Sequence, residues 1–225
     1  MRKHTPTTIP LKEKSHAAIE TGYDAEDFGE GYWLDKNRDG HRRIDRDAKT
    51  MIAYVKALQF IEAIPTEPAP AILDVGAGPG RMVKDFRDAG YNAHGCEFSP
   101  SGRKLGKERF NIDLKFVDLR ESVPWPDEQF DFAYCVGVLS MIPKAKIPVA
   151  LFEICRVLKD GGLFFPMLLN PTPVMAEPHL TGMTYEEWRA HHLAAGFEEV
   201  SSLWAAQRHG LGMGNEFCGL FRKVK

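Results

Sequence analysis

Two kinds of apolar pattern alternate along this chain. Short apolar runs closed by glycine, proline or an acidic residue read as buried strands, and longer stretches with apolar residues every three to four positions read as helices that bury one stripe. Strands are predicted at Ile72–Val75, Tyr91–Glu97, Ile112–Val117, Phe130–Val136 and Leu163–Leu169, with Phe197–Ala205 and Glu216–Val224 as an antiparallel closing pair. Helices are predicted over Asp47–Ile64 (apolar Met51, Tyr54, Val55, Leu58, Ile61), about 80–89 (Met82, Val83, Phe86), Pro100–Phe110 and Ala145–Lys159 (Val149, Phe152, Ile154, Leu158). A last helix starts at Thr184, where Thr184-Tyr185-Glu186-Glu187 is a capping box, and runs to Ala195. Alternating strands and helices predict an α/β fold: one mostly parallel seven-stranded sheet with helices on both faces.

Outside that alternation the pattern weakens. Residues 1–15 are polar, carry Pro6 and Pro10, and read as a tail; residues 15–40 bring Tyr23, Phe28, Tyr32 and Trp33 among glycines and acids. Aromatics clustered outside a regular element are expected to pack over something, as a hydrophobic cover, a lid over a substrate pocket, or both. The mixed charges of residues 36–49 read as a solvated, salt-bridged helix face. The proline-rich stretch Pro65–Pro70 then delivers the chain into the first strand. The expected division is an N-terminal tail and helical, aromatic cap over 1–69 and a core domain over 70–225.

The first strand ends in the densest chemical signal of the sequence, Ile72-Leu73-Asp74-Val75-Gly76-Ala77-Gly78-Pro79-Gly80. Glycines let the backbone turn sharply and approach a ligand that a Cβ would obstruct, and the following helix offers unpaired N–H groups at its start. The G-x-G-x-G spacing departs from G-x-G-x-x-G, whose third glycine would fall at Arg81, and no phosphate-loop Gly-Lys-Ser/Thr follows. The stretch resembles motif I of class I S-adenosylmethionine (SAM)-dependent methyltransferases, small-molecule type. Three later stretches are similar to the same family: Glu97-Phe98-Ser99 after the second strand, Asp118-Leu119 after the third, and Arg156-Val157-Leu158-Lys159-Asp160-Gly161-Gly162 before the fifth, where the glycines are expected to stop the helix.

That resemblance implies a Rossmann-like domain that takes SAM as cofactor. It places Asp74, Gly76, Ala77, Gly78 and Gly80 at the methionine end, Glu97 at the ribose, and Asp118 with Leu119 at the adenine, with Phe98 beside Glu97 and Val136 at the end of the fourth strand as further cofactor contacts. After that strand stand Cys135-Val136-Gly137-Val138-Leu139 and Ser140-Met141, so the Asn/Asp-Pro-Pro-Tyr/Phe motif of base-modifying relatives is missing and no catalytic base carries over. His179, in the loop 170–183 at the carboxyl edge of the fifth strand, has an intrinsic pKa suited to proton abstraction. Together with Tyr23 and Tyr32 it forms the catalytic candidate set, and Trp33 joins them on the acceptor side.

Composition narrows the class. At 225 residues, 44% hydrophobic and 27% charged with net charge −2, the chain has no basic excess for strong nucleic-acid binding. Cys96, Cys135, Cys155 and Cys218 form no C-x-x-C pair and read as free thiols, mostly buried. His191, His192 and His209 lack metal-ligand spacing, so no metal is expected. Without an apolar signal core or membrane-length run, the expectation is a cytoplasmic protein, monomer or homodimer, with a small-molecule acceptor. The expected activity is methyl transfer to oxygen or nitrogen of that acceptor. The rivals are a tRNA or protein methyltransferase, a SAM-binding subunit without turnover, and SAM chemistry of another type such as intramolecular cyclisation.

Overall fold

The computed structural model describes residues 40–169, 181–204 and 216–224. In chain order these form α1 (Gly40–Phe60), β1 (Ala71–Val75), α2 (Arg81–Asp88), β2 (Asn92–Glu97), α3 (Pro100–Phe110), β3 (Lys115–Phe116), β4 (Phe130–Val136), α4 (Ile147–Val157), β5 (Leu158–Leu169), α5 (Tyr185–Ala194), β6 (Phe197–Trp204) and β7 (Glu216–Lys223). Local chemistry explains the sharpest boundaries. Ser99 Oγ accepts from Gly102 N at 3.0 Å ahead of Pro100, and Asn111 at φ 52° closes α3. Thr184 and Glu187 complete the capping box that opens α5.

The seven strands lie in the order β3-β2-β1-β4-β5-β7-β6. All pairs are parallel except those of β7, which runs antiparallel to β5 and to β6. Side chains alternate across the sheet, so each face has its own core. Leu73, Val75, Ala133, Cys135 and Phe164 meet Leu151, Ile154 and Trp188 of α4 and α5, whereas Ile72, Phe132, Tyr134 and Leu163 meet Val55 and Leu58 of α1 and Val83 and Phe86 of α2. The expected helix–sheet–helix layering is what forms. Strand order reverses between β1 and β4, which opens a crevice at their carboxyl ends where open α/β sheets bind ligands.

Three sequence expectations are corrected. α1 begins at Gly40 and ends at Phe60; Glu62 then adopts φ 57° and Ala63 N returns to Leu58 O at 2.8 Å, which turns Ile61 outward rather than into the core. β3 shrinks to two residues because it is an edge strand, paired only through Cys96↔Lys115 and Glu97↔Phe116. The helix before β5 stops at Val157, not at the glycines: Leu158 is already extended and pairs with Phe130, so sheet pairing overrides helical continuation. Gly161, at φ 75°, then forms an irregularity where the register shifts between Phe130 and Phe132.

Cys96, Cys135 and Cys155 are buried free thiols, and Cys218 is half-buried. His192 is a core residue: its ring stacks on Phe221 (4.1 Å between centroids, 13° between planes), its Nδ1 donates to Trp188 O at 2.7 Å, and burial pushes its pKa down to about 4.

Candidate functional site

At the crevice, β1 runs straight into the glycine loop. Gly76 N and Ala77 N donate to Cys96 O at 3.0 and 2.9 Å, anchoring the loop to β2, and Gly80 N closes on Ala77 O at 2.9 Å. Gly76, Gly78 and Gly80 take φ of 77°, 54° and 79°. At Gly76 the close approach is as demanding as the dihedral, because a Cβ there would lie 2.3 Å from Val138 Cγ2.

Glu97 ends β2 and ties the loop tip down. Its Oε2 accepts from Gly78 N at 2.8 Å and its Oε1 from Ser99 N at 2.7 Å. Burial raises its pKa, while the N–H groups of Ser99, Gly78 and Phe98 and the charge of Arg103 oppose that rise. Gly78 N and Ser99 N thus each take one carboxylate oxygen, with the Phe98 N–H beside them, and the about four lone-pair sites of a carboxylate leave capacity for a further donor. A carboxylate at the end of a strand is the kind of acceptor that a ribose diol requires.

Asp74 stands opposite Tyr134 across β1 and β4. Burial raises its pKa to about 7, the nearby Tyr134 hydroxyl opposes the rise, and Glu97 adds to it. The Tyr134 oxygen is itself buried and completes no well-formed hydrogen bond among the described residues. Folding therefore retains a proton on Asp74 that the unfolded chain loses near pH 3.8, so stability falls as pH rises from about 4 to about 7, by up to about 4 kcal/mol. Asp74→Asn cannot ionise and should remove this share of the decline. Denaturant melts of both proteins at pH 5 and pH 8 check it: the variant is expected to gain relative to wild type at pH 8, and equal slopes would contradict the assignment.

Asp118 follows β3 and sits in a tight turn, its carbonyl accepting from Glu121 N and Ser122 N at 3.0 Å each. Its carboxylate is engaged by Arg120, whose hydrogen bonds and charge hold the pKa below the ordinary carboxylate value despite partial burial. Leu119 is buried beside it in the core. Val136 ends β4, two positions past the Asp74↔Tyr134 pair; Gly137 turns at φ 71°, and Val138 leads into the short 3₁₀ turn Leu139–Met141. Thr181 fastens that turn, its N–H donating to Ser140 O and its hydroxyl to Ile142 O, each at 2.6 Å.

The structure therefore brings Asp74, Gly76, Ala77, Gly78, Gly80, Glu97 and Phe98 together at one sheet edge, with Asp118, Leu119 and Val136 on neighbouring strand ends. Tyr23, Tyr32, Trp33 and His179 lie outside the described residues. Sequence reading passes over Gly106, where a Cβ would come within 2.8 Å of Pro79 O, so that α3 can press against the loop only through a glycine. A signal for it exists: Gly102 and Gly106 stand four apart within a helix, where glycine costs about 1 kcal/mol against alanine. Val138, Tyr134 and Arg120 carry no such signal.

Residues 72–162 match a family model described as a methyltransferase domain. A sterol 4-C-methyltransferase of Caenorhabditis elegans is 35% identical over 98 residues, 41% of this chain and 29% of that protein. A ubiquinone biosynthesis O-methyltransferase of Xanthomonas campestris is 24% identical over 134 residues, 57% of this chain and 55% of that protein. The chain thus spans between about a third and about half the length of these relatives. Among solved structures, a SAM-dependent methyltransferase from Methanosarcina mazei superposes with a TM-score of 0.58 at 19% identity, covering 73% of this chain and 97% of that one. At that identity the superposition speaks for the fold.

Proposed function

We propose that the chain is a class I SAM-dependent methyltransferase that transfers the methyl group of SAM to an oxygen or nitrogen of a small-molecule acceptor, a reading supported by the methyltransferase-domain match over residues 72–162. The observation that carries the reading is Glu97: a buried carboxylate at the end of β2, bound to the glycine-loop tip through Gly78 N. Asp74 and the loop Gly76–Gly80 would hold the methionine end, Glu97 the ribose, and Phe98, Asp118 and Leu119 the adenine. When bound, SAM supplies a methyl group on a sulfonium, an electrophile that reacts with a nucleophile held in line.

What the chain must contribute to such chemistry is position and shielding. The loop is held at both ends, by Cys96 O and by Glu97, and Val138 closes over Gly76. Tyr23, Tyr32 and His179 are the residues proposed for the acceptor side, with His179 as the base where the acceptor must lose a proton. The named relatives, one acting on a sterol carbon and the other on an oxygen in ubiquinone biosynthesis, support a small-molecule acceptor.

Product analysis tests the reaction. Purified protein incubated with SAM and a panel of phenols, catechols and amines is read by mass spectrometry. S-adenosylhomocysteine appearing in step with an acceptor heavier by one methylene supports methyl transfer. Methylthioadenosine, or an acceptor rearranged while SAM is unconsumed, contradicts it.

A further inference from the structure

We propose that Arg120 is an internal stand-in for the adenine ring, seated on the adenine-binding groups and displaced when a nucleoside binds. The inference rests on the SAM reading above, because that reading assigns Phe98 and Asp118 to the adenine. The structure shows one side chain holding both. The Arg120 guanidinium carbon lies 5.2 Å from the centroid of the Phe98 ring, within the range of a cation over an aromatic face. The same guanidinium chelates Asp118: Nε reaches Oδ1 at 2.9 Å and Oδ2 at 3.1 Å, and a terminal nitrogen reaches Oδ2 at 2.7 Å.

The Arg120 backbone N–H adds a contact to Oδ1 at 2.9 Å. Three N–H donors, one of them shared between both oxygens, thus fall on two oxygens that offer about four lone-pair sites. The guanidinium leaves Asp118 little acceptor capacity for an exocyclic amine while it is in place. A guanidinium is planar, rich in N–H donors and able to stack, which are the properties an aminopurine edge and face present to the same two groups. The turn 118–122 makes the arrangement possible by folding residue 120 back toward residue 118, and Phe116 packs beside Phe98, the ring centroids 6.0 Å apart, with the Arg103 guanidinium 5.1 Å from the Phe116 ring.

Occupying the seat lowers the apparent affinity for a nucleoside by the fraction of time the seat is open. It also keeps Asp118 ionised and Phe98 covered in the cofactor-free protein. Removing the guanidinium should therefore strengthen binding, the opposite of what removing a ligand contact does.

The test is calorimetric titration of wild type, Arg120→Ala and Arg120→Lys with S-adenosylhomocysteine and, separately, with adenosine. The expected result for Arg120→Ala is binding tighter by roughly fivefold, the strength of a partly buried ion pair plus a cation–aromatic contact, and by the same factor for both ligands because the effect is confined to the adenine. Arg120→Lys, which can neither chelate nor stack as a plane, should fall between. The melting temperature without ligand should stay level or drop slightly in Arg120→Ala while its rise on adding S-adenosylhomocysteine grows; a merely structural role would lower both. If wild type binds S-adenosylhomocysteine and Arg120→Ala binds it equally or less well, the stand-in role is overturned and the SAM reading survives. If neither protein binds it, the SAM reading falls and this inference with it.

Discussion

Gly76→Ala is expected to lower the melting temperature by about 8–15 °C, the largest loss of stability that one added methyl causes in this site. Two terms add. The backbone at φ 77° costs a non-glycine residue about 1–2 kcal/mol. The new Cβ would stand 2.3 Å from Val138 Cγ2, and valine is stiff about χ1, so relief requires moving the turn after β4, at about 1–3 kcal/mol. For a chain of this size 1 kcal/mol corresponds to about 2–4 °C.

The two terms separate experimentally. Gly90 has φ 90° with nothing within 4 Å of its ideal Cβ, so Gly90→Ala reports the backbone term alone. Val138→Ala in the Gly76→Ala background removes the clash and should recover roughly the steric half. A Gly76→Ala melting curve within about 2 °C of wild type would show that β1 and the turn after β4 do not meet as described. The functional meaning is that Val138, in the turn after β4, sets how close the loop can lie to that turn. Loop and turn form one rigid floor to the crevice.

Much of the fold is legible in the order of residues alone. Strands and helices alternate visibly, and the boundaries that sequence marks chemically, Ser99-Pro100 and the Thr184 box, fall where expected. β4 matches its predicted span because a buried, largely apolar strand beside two others has no local competitor. Failures occur where a distant partner decides. β3 is limited by the two residues of β2 that reach it, and the start of β5 is fixed by Phe130, more than twenty positions earlier in the chain.

The site divides in the same way. Asp74, the loop glycines and Glu97 are readable because each sits at a fixed place in a strand–loop–helix unit. Val138 under Gly76, Pro79 against Gly106 and Arg120 across Asp118 and Phe98 are not, because each depends on how separate segments come to rest. The acceptor-side expectations, Tyr23, Tyr32, Trp33 and His179, belong to segments that lack a helical or strand period, and they lie outside the described residues.

The second large effect belongs to Glu97. Its carboxylate accepts two backbone N–H groups at 2.8 and 2.7 Å and, in the proposed function, both ribose hydroxyls. Hydrogen bonds to a charged acceptor contribute about 1.5–3 kcal/mol each, and deleting the acceptor also orphans Gly78 N at the loop tip. Glu97→Ala should therefore weaken S-adenosylhomocysteine binding by about a hundredfold or more, about 3 kcal/mol. Glu97→Gln keeps the shape but must turn its NH₂ toward one of the two backbone donors, so it should recover only part of the loss.

The comparison of wild type and Glu97→Ala by calorimetric titration with S-adenosylhomocysteine is the most direct test of the central claim, that the glycine loop and Glu97 form a SAM site. The predicted result is one site per chain in the wild type and a loss of about a hundredfold in the variant, with the variant still melting cooperatively. A wild type that does not bind, or a variant whose affinity stays within about threefold of wild type (under about 0.7 kcal/mol), would contradict it.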